Sequence, residues 1–403
     1  MALTTPGSAA RSLVRTARES PAFALFLVAL AVLPFRWLSP LQSLSDRATW
    51  ADVFLAGAIV LWLGHGAARW RAGVRPRPRA WHWALAAYVA FGFVSAGFSV
   101  DVGRATANAL LMAELALVTV LAADFASDAR RRAAIALVVM AGALVTAVLA
   151  LIALAMFYAG IRSSLLGGYG DLVASDLYAR VQAGFYSPPL LASYCIFASA
   201  AIAMRGNGLA TGWRRATQAA LAGVVISTAS RALLGFFAAL AARVAAAGSR
   251  RAWRAAAGAG VVGVVVAMAL LTVVPTTVVG GAAREDFGYR HDAAVSSWRT
   301  VVEHPIVGIG PGELPGIGRG LPVRAHLTPL NIAATVGLPA LLALVFAIVL
   351  IWRDRARPTD IALCAGLLGL GIDGLGQDID HFRHAWILLG LAAATQPARD
   401  DVE

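Results

Sequence analysis

The sequence predicts an all-α, polytopic integral membrane bundle of about twelve transmembrane helices forming a single membrane domain, 1–403. Three observations predict it. Of 403 residues, 59% are hydrophobic and only 14% charged, with a mean hydropathy of +0.72, whereas soluble domains carry about 25% charged residues. Runs such as 133–161 and 255–279 exceed the roughly 20 apolar residues that cross a bilayer core. Only helices and closed barrels satisfy the backbone there, and these runs are far too continuous for barrel strands. Finally, the basic residues fall in short clusters between the runs.

Taken in order, the spans lie near 22–38, 48–65, 80–98, 105–123, 133–160, 188–204, 213–229, 231–248, 254–279, 330–352, 359–375 and 384–397. The first carries no convincing cleavage signal and reads as an uncleaved anchor. Alternation from a cytoplasmic N-terminus puts both termini inside and agrees with the positive-inside rule. Arg11, Arg15 and Arg18 precede the first span; Arg69 to Arg79, Arg130 to Arg132, Arg205 to Arg215, Arg243 to Arg254 and Arg353 to Arg357 fill each later cytoplasmic turn. With Arg399 these hold 22 of the 34 basic residues. Trp37, Trp50, Trp70, Trp81, Trp213, Trp253 and Trp352 stand near span ends as interfacial anchors. No lysine occurs, so the net charge of +12 is all arginine. Its layout marks topology and excludes nucleic acid as a partner. Cys195 and Cys364 sit inside apolar spans, which excludes a disulfide framework of water-exposed loops. No internal repeat is evident, nor paired Gly/Pro breaks of the kind that mark inverted-repeat transporters.

The one long hydrophilic connection is 280–329, read as a loop on the outward, periplasmic side. It contains Arg290, His304-Pro305-Ile-Val-Gly308-Ile-Gly310-Pro-Gly312, then Arg324-Ala325-His326. Arginine on the translocated side opposes the topological preference. For Arg162, Arg180, Arg284, Arg290, Arg299, Arg319, Arg324 and Arg383, pairing with Asp171, Asp176, Glu285, Asp286, Asp292, Glu303, Asp378 or Asp380 would compensate. Arg231, in Ser230-Arg231-Ala232, has no acid near it in sequence and is a functional candidate by its depth. Guanidinium binds phosphate oxygens bidentately and keeps its charge, so an outward cluster of Arg180, Arg231 and Arg290 would form a pyrophosphate clamp. His326 stands where a loop meets the next span, and a neutral imidazole there takes a proton from a hydroxyl. His304 opens a turn, and Gly308 and Gly310 suit close backbone approach; the run is no nucleotide fingerprint. His381 and His384, three residues apart beside Asp378 and Asp380, suggest a metal site whose ligand set is incomplete; no metal and no cofactor is expected. Of the acids in or beside spans, Asp52, Glu114, Asp124 and Asp373 form no evident series, and Glu114 has Arg104 or Asn108 as partners.

These residues resemble the O-antigen ligase / O-antigen polymerase superfamily. The His-Pro-x-x-Gly-x-Gly turn is His304 to Gly310; Ala325-His326 and Thr335-Val-Gly337-Leu follow. Arg290 precedes His304 by fourteen residues. Ser230-Arg231-Ala232, Arg180-Val-Gln-Ala-Gly184 with Pro188 and Ala192, and Asp378-Ile-Asp380 with Arg383, Trp386 and Gly390 match further elements. The resemblance runs from about 175 to 392. It implies a GT-C-like, metal-independent inverting glycosyltransferase with one larger periplasmic loop, in the bacterial inner membrane. The donor would be a glycan on undecaprenyl pyrophosphate and the acceptor a sugar hydroxyl of lipid A–core, in lipopolysaccharide biosynthesis. By the same resemblance His326 would deprotonate or orient the acceptor, and Arg180, Arg231 and Arg290 would bind pyrophosphate; Arg324, His304, Gly308, Gly310 and Asn331 would support them. Leu327 replaces the family's Asn after the histidine, with Asn331 one turn on as a substitute; Pro189 replaces the Asn after Pro188. A polymerase or protein O-oligosaccharyltransferase of the same superfamily, a lipid or polysaccharide transporter, and a non-catalytic scaffold are the alternatives.

Overall fold

A computed structural model describes residues 20–35, 49–73, 78–161, 163–165, 180–246, 278–315, 324–353 and 360–394, the backbone alone over 278–288. Thirteen α-helices occupy the described residues: α1 Pro21–Val32, α2 Trp50–Arg71, α3 Ala80–Gly97, α4 Val102–Ala126, α5 Ala129–Tyr158, α6 Pro188–Ala203, α7 Thr211–Ser227, α8 Ala232–Ala246, α9 Val278–Glu303, α10 Thr328–Thr335, α11 Leu338–Arg353, α12 Ile361–Gly374 and α13 Arg383–Ala393. No strand lies among the described residues. Three helices, α2, α4 and α5, are long and apolar enough to cross a membrane; α1, α6, α8, α11 and α12 are shorter and apolar. The apolar helices suggest a membrane protein, whereas length alone does not establish a count of twelve spans. The ninth predicted span, 254–279, lies outside the described residues but for the start of α9.

Local chemistry sets many of the boundaries. Asp101, Asp128 and Asp360 cap α4, α5 and α12 by accepting from Arg104 N, Arg131 N and Ala362 N, satisfying amides that the first turn leaves without partners. Thr49 and Asp52 form a capping box on α2. α6 is buried on every face, as a helix apolar all round must be. It is the hub against which α5, α7, α8, α12 and α13 pack. Small residues bring backbones together around it. A Cβ on Gly235 of α8 would lie 2.3 Å from the Gly369 carbonyl of α12, and one on Gly366 2.5 Å from Ala200 of α6. Such close approach is how apolar helices associate without a hydrophobic driving force in lipid.

The helices alternate between two ends. At one, Asp52, Ser95, Ser99, Asn108, Thr228, Arg290, Gly310 and Arg383 meet across the chain. At the other, Asp360 accepts from Arg205 N at 2.5 Å, Arg132 lies beside Gly206, Arg243 donates to Ser199, and Trp62 donates to Asp124.

Two readings of the sequence are corrected. The first half of 280–329 is not a loop, because α9 runs unbroken to Glu303; low hydropathy there reflects a polar helix. The predicted span 330–352 is two helices, α10 and α11, parted at Val336 and Gly337.

Candidate functional site

α9 ends at the histidine-proline turn, where His304 N donates to Thr300 O at 2.8 Å and its own carbonyl accepts from Gly308 N at 3.0 Å. The His304 side chain is exposed. The turn then docks on the break between α10 and α11. Ile309 N and Gly310 N donate to Ala334 O and Thr335 O at 3.2 and 2.8 Å, and Leu338 N donates to Pro305 O at 2.9 Å. The fit excludes side chains: a Cβ on Gly308 would lie 2.4 Å from the Thr335 carbonyl, and one on Gly337 2.0 Å from the Ile306 carbonyl. Both glycines have positive φ, +62° and +100°, where L side chains are strained. Ser95 Oγ adds a bond to Thr335 O at 2.9 Å, and Ser99 Oγ one to Glu313 at 3.2 Å.

The three clamp arginines come from three elements and reach one neighbourhood. Arg180 Nε donates to Thr228 O at 3.3 Å, three residues before Arg231, and Val181 N donates to Ser227 O at 3.1 Å. Arg231 occupies the tip between α7 and α8 and is exposed there, not embedded among the flanking apolar runs. Arg290 of α9 donates to Gly376 O at 3.5 Å. A Cβ on Gly376 would lie 3.8 Å from Arg231 Cδ, so Arg231 and Arg290 meet at Gly376.

Gly376 opens the 375–382 loop, the junction of the whole end. Its carbonyls are held by four side chains from three elements: Gly376 O by Arg290, Gln377 O by Thr328 at 2.7 Å, Asp380 O by Trp386 Nε1 at 2.6 Å, and His381 O by Arg383 at 3.1 Å. Asp378, buried, accepts from Arg324 Nη1 at 2.9 Å and Asn331 Nδ2 at 3.2 Å. Burial, then the adjacent Asp380 carboxylate, lift the Asp378 carboxyl to about 6, against the opposing pull of Arg324 and His381. Thr328 Oγ1 also accepts from Ile379 N at 2.9 Å. His326 is therefore clamped on both sides, by Arg324 before it and Thr328 after it, to one loop. Between them its backbone takes a φ of +49°. A left-handed non-glycine residue costs about 1–2 kcal/mol and persists only where its surroundings dictate it.

Some expected partners are elsewhere. Arg324 is engaged by Asp378, and Asn331, 2% exposed, turns its amide to the same carboxylate while its Oδ1 has no hydrogen-bond partner. His384 leaves the loop and hydrogen-bonds Ser193 at 2.9 Å. Asp378, Asp380 and His381 remain, their donor atoms all within 4.8 Å of one another. That spacing could serve a cation, but Asp378 faces Arg324 and Asp380 faces His381 Nδ1 at 2.9 Å. Glu114 pairs with neither Arg104 nor Asn108. It lies in the field of Asp52 and Arg383, which form a bidentate ion pair at 2.5 and 2.8 Å, while Asn108 donates to Arg104 O and abuts Gly312. The acids thus do converge in part. The residues that sequence reasoning undervalued are Asp378, Asp380 and His381, and the available signal was their density in one short connection.

Comparison of the sequence with protein-family models and with curated proteins finds no match.

Proposed function

We propose that the chain is an inverting glycosyltransferase that moves a glycan from undecaprenyl pyrophosphate to a sugar hydroxyl of lipid A–core, an O-antigen ligase. The observation that carries this reading is the placement of Arg180 at Thr228 O, three residues before Arg231, and of Arg231 and Arg290 together at Gly376, beside the loop to which the His326 segment is clamped. Three permanent cations from separate elements suit a diphosphate leaving group, whose charge grows as the glycosidic bond breaks. Donors fixed in advance stabilise such charge without reorganising. His326 orients or deprotonates the acceptor hydroxyl. The site end faces the periplasm, and the donor reaches it from the bilayer. The resemblance of the ordered motifs supports the same class.

Complementation of a ligase-deficient Gram-negative strain with a matching core tests this, read as the surface polysaccharide ladder. Wild type restores the ladder; Arg290→Ala and His326→Ala at equal expression lose it. No ladder from wild type in a matched host overturns the ligase assignment in favour of polymerase or protein glycosylation. A ladder from both variants overturns the site. Because no step uses a metal, EDTA in a reconstituted assay leaves the rate unchanged, and a loss restored by one divalent cation would refute that.

A further inference from the structure

The site end holds a second histidine set up for proton transfer. His381 Nδ1 lies 2.9 Å from Asp380 Oδ1 and 4.0 Å from Asp378 Oδ2, and its side chain is 17% exposed. A carboxylate at Nδ1 fixes the tautomer with the proton on that nitrogen and makes Nε2 the basic atom. Trp386 and Arg383 bond the Asp380 and His381 carbonyls, and Phe382 packs its ring edge-on at 4.8 Å, so the pair is rigid. His381 also lines a small, partly open cleft whose walls include Leu33, Phe185, Leu190, Phe382 and Arg383. Phe185 directly follows the Arg180–Gly184 segment, so this cleft adjoins the segment that carries one clamp arginine. His291 also touches a carboxylate, Asp292, but both are two-thirds exposed, where water competes for the bond.

We propose that His381, oriented by Asp380, is the base that takes the acceptor's proton, with His326 positioning the hydroxyl. The inference rests on the glycosyltransferase reading above. In the step, the acceptor oxygen forms a bond to the anomeric carbon of the donor and its proton passes to His381 Nε2. The bond from that carbon to the pyrophosphate oxygen breaks, and its electron pair leaves on the pyrophosphate, facing the arginines. The charged and titratable groups around His381 are Asp378 and Asp380 on its own loop, Arg383 and His384 at the start of α13, Arg324 before α10, Asp52 on α2 and Tyr88 on α3. The carboxylates favour the imidazolium. Removing Asp380's charge therefore lets the proton leave at lower pH.

The test uses the purified full chain in proteoliposomes with lipid-linked donor and lipid A–core acceptor, across pH 5–9. His381→Ala and His381→Gln lower kcat on the order of 10²–10⁴-fold and abolish the acidic limb of the pH–rate profile. Asp380→Asn lowers kcat less and moves that limb to lower pH. His326→Ala raises the acceptor KM and keeps the limb. Donor binding, measured separately with undecaprenyl pyrophosphate, survives in both His381 variants and is lost in Arg290→Ala. Both His381 variants folded by size exclusion, with wild-type kcat and an unchanged limb, overturn the inference and leave the enzyme reading standing. A folded wild type that transfers nothing overturns both.

Discussion

Asp378 carries a carboxylate where burial favours the neutral acid. Its carboxyl, lifted to about 6 in the folded chain, has the usual value near 3.9 when unfolded. Between about pH 4 and pH 6 the folded state therefore holds a proton that the unfolded state has released. Stability falls as pH rises through that window and levels off above it, by up to about 3 kcal/mol from this one group. Asp378→Asn keeps the shape and an acceptor oxygen for Arg324 without the titration, and its new NH2 can donate to Asn331 Oδ1 once that amide turns over. The melting temperature in detergent of wild type, relative to this variant, is expected to drop between pH 4.5 and pH 7. Parallel curves would show that Asp378 is charged throughout. Asp378→Ala is a harsher change, because it strands the partly buried Arg324 and the buried Asn331. Removing one partner of a buried ion pair typically costs about 3–5 kcal/mol, so that variant should be recovered poorly.

At the scale of elements, the turn after α9 and the break between α10 and α11 form one unit. Gly308→Ala must both strain a left-handed residue and push a methyl into the Thr335 carbonyl. Gly337→Ala does the same against Ile306. Each is expected to lower the melting temperature and the yield of monodisperse protein. Gly212→Ala on α7, which meets nothing within 4 Å, should be neutral or gain up to about 1 kcal/mol from helix propensity. Equal behaviour of the three by fluorescence size exclusion would mean that the interlock is not what holds this end. The turn itself was legible in the sequence because glycine and proline act locally. The polar helix α9 was not, since hydropathy separates lipid from water and does not separate helix from coil. Arg383 with Asp52, 331 residues apart, and His384 with Ser193, 191 apart, left no local trace. They arise from packing around α6, and for the same reason the contacts that make the loop 375–382 a junction were not readable from its Asp and His residues alone.

Across the whole molecule, the two polar ends are set by chain alternation rather than by any one contact. α4 alone has 25 residues, about 37 Å at 1.5 Å per residue, which exceeds a hydrocarbon core of roughly 30 Å. If α4 crosses the bilayer, polar contacts at its two ends do not share a side. Asn108, near the start of α4, abuts Gly312 at the site end, and Asp124, near its finish, bonds Trp62 at the other. If the site end faces outward, accessibility should divide the same way. Tyr186, 62% exposed beside the Arg180 segment, and Trp213, 57% exposed at the start of α7, report on the two ends. In a background with Cys195 and Cys364 replaced by Ala, Tyr186→Cys should react with a membrane-impermeant maleimide applied to spheroplasts. Trp213→Cys should react only after the membrane is opened. Both labelling from outside would break the alternation on which the arrangement depends. The reverse pattern would keep the bundle but turn the arginine cluster to the cytoplasm, where a ligase acting on periplasmic acceptors could not use it.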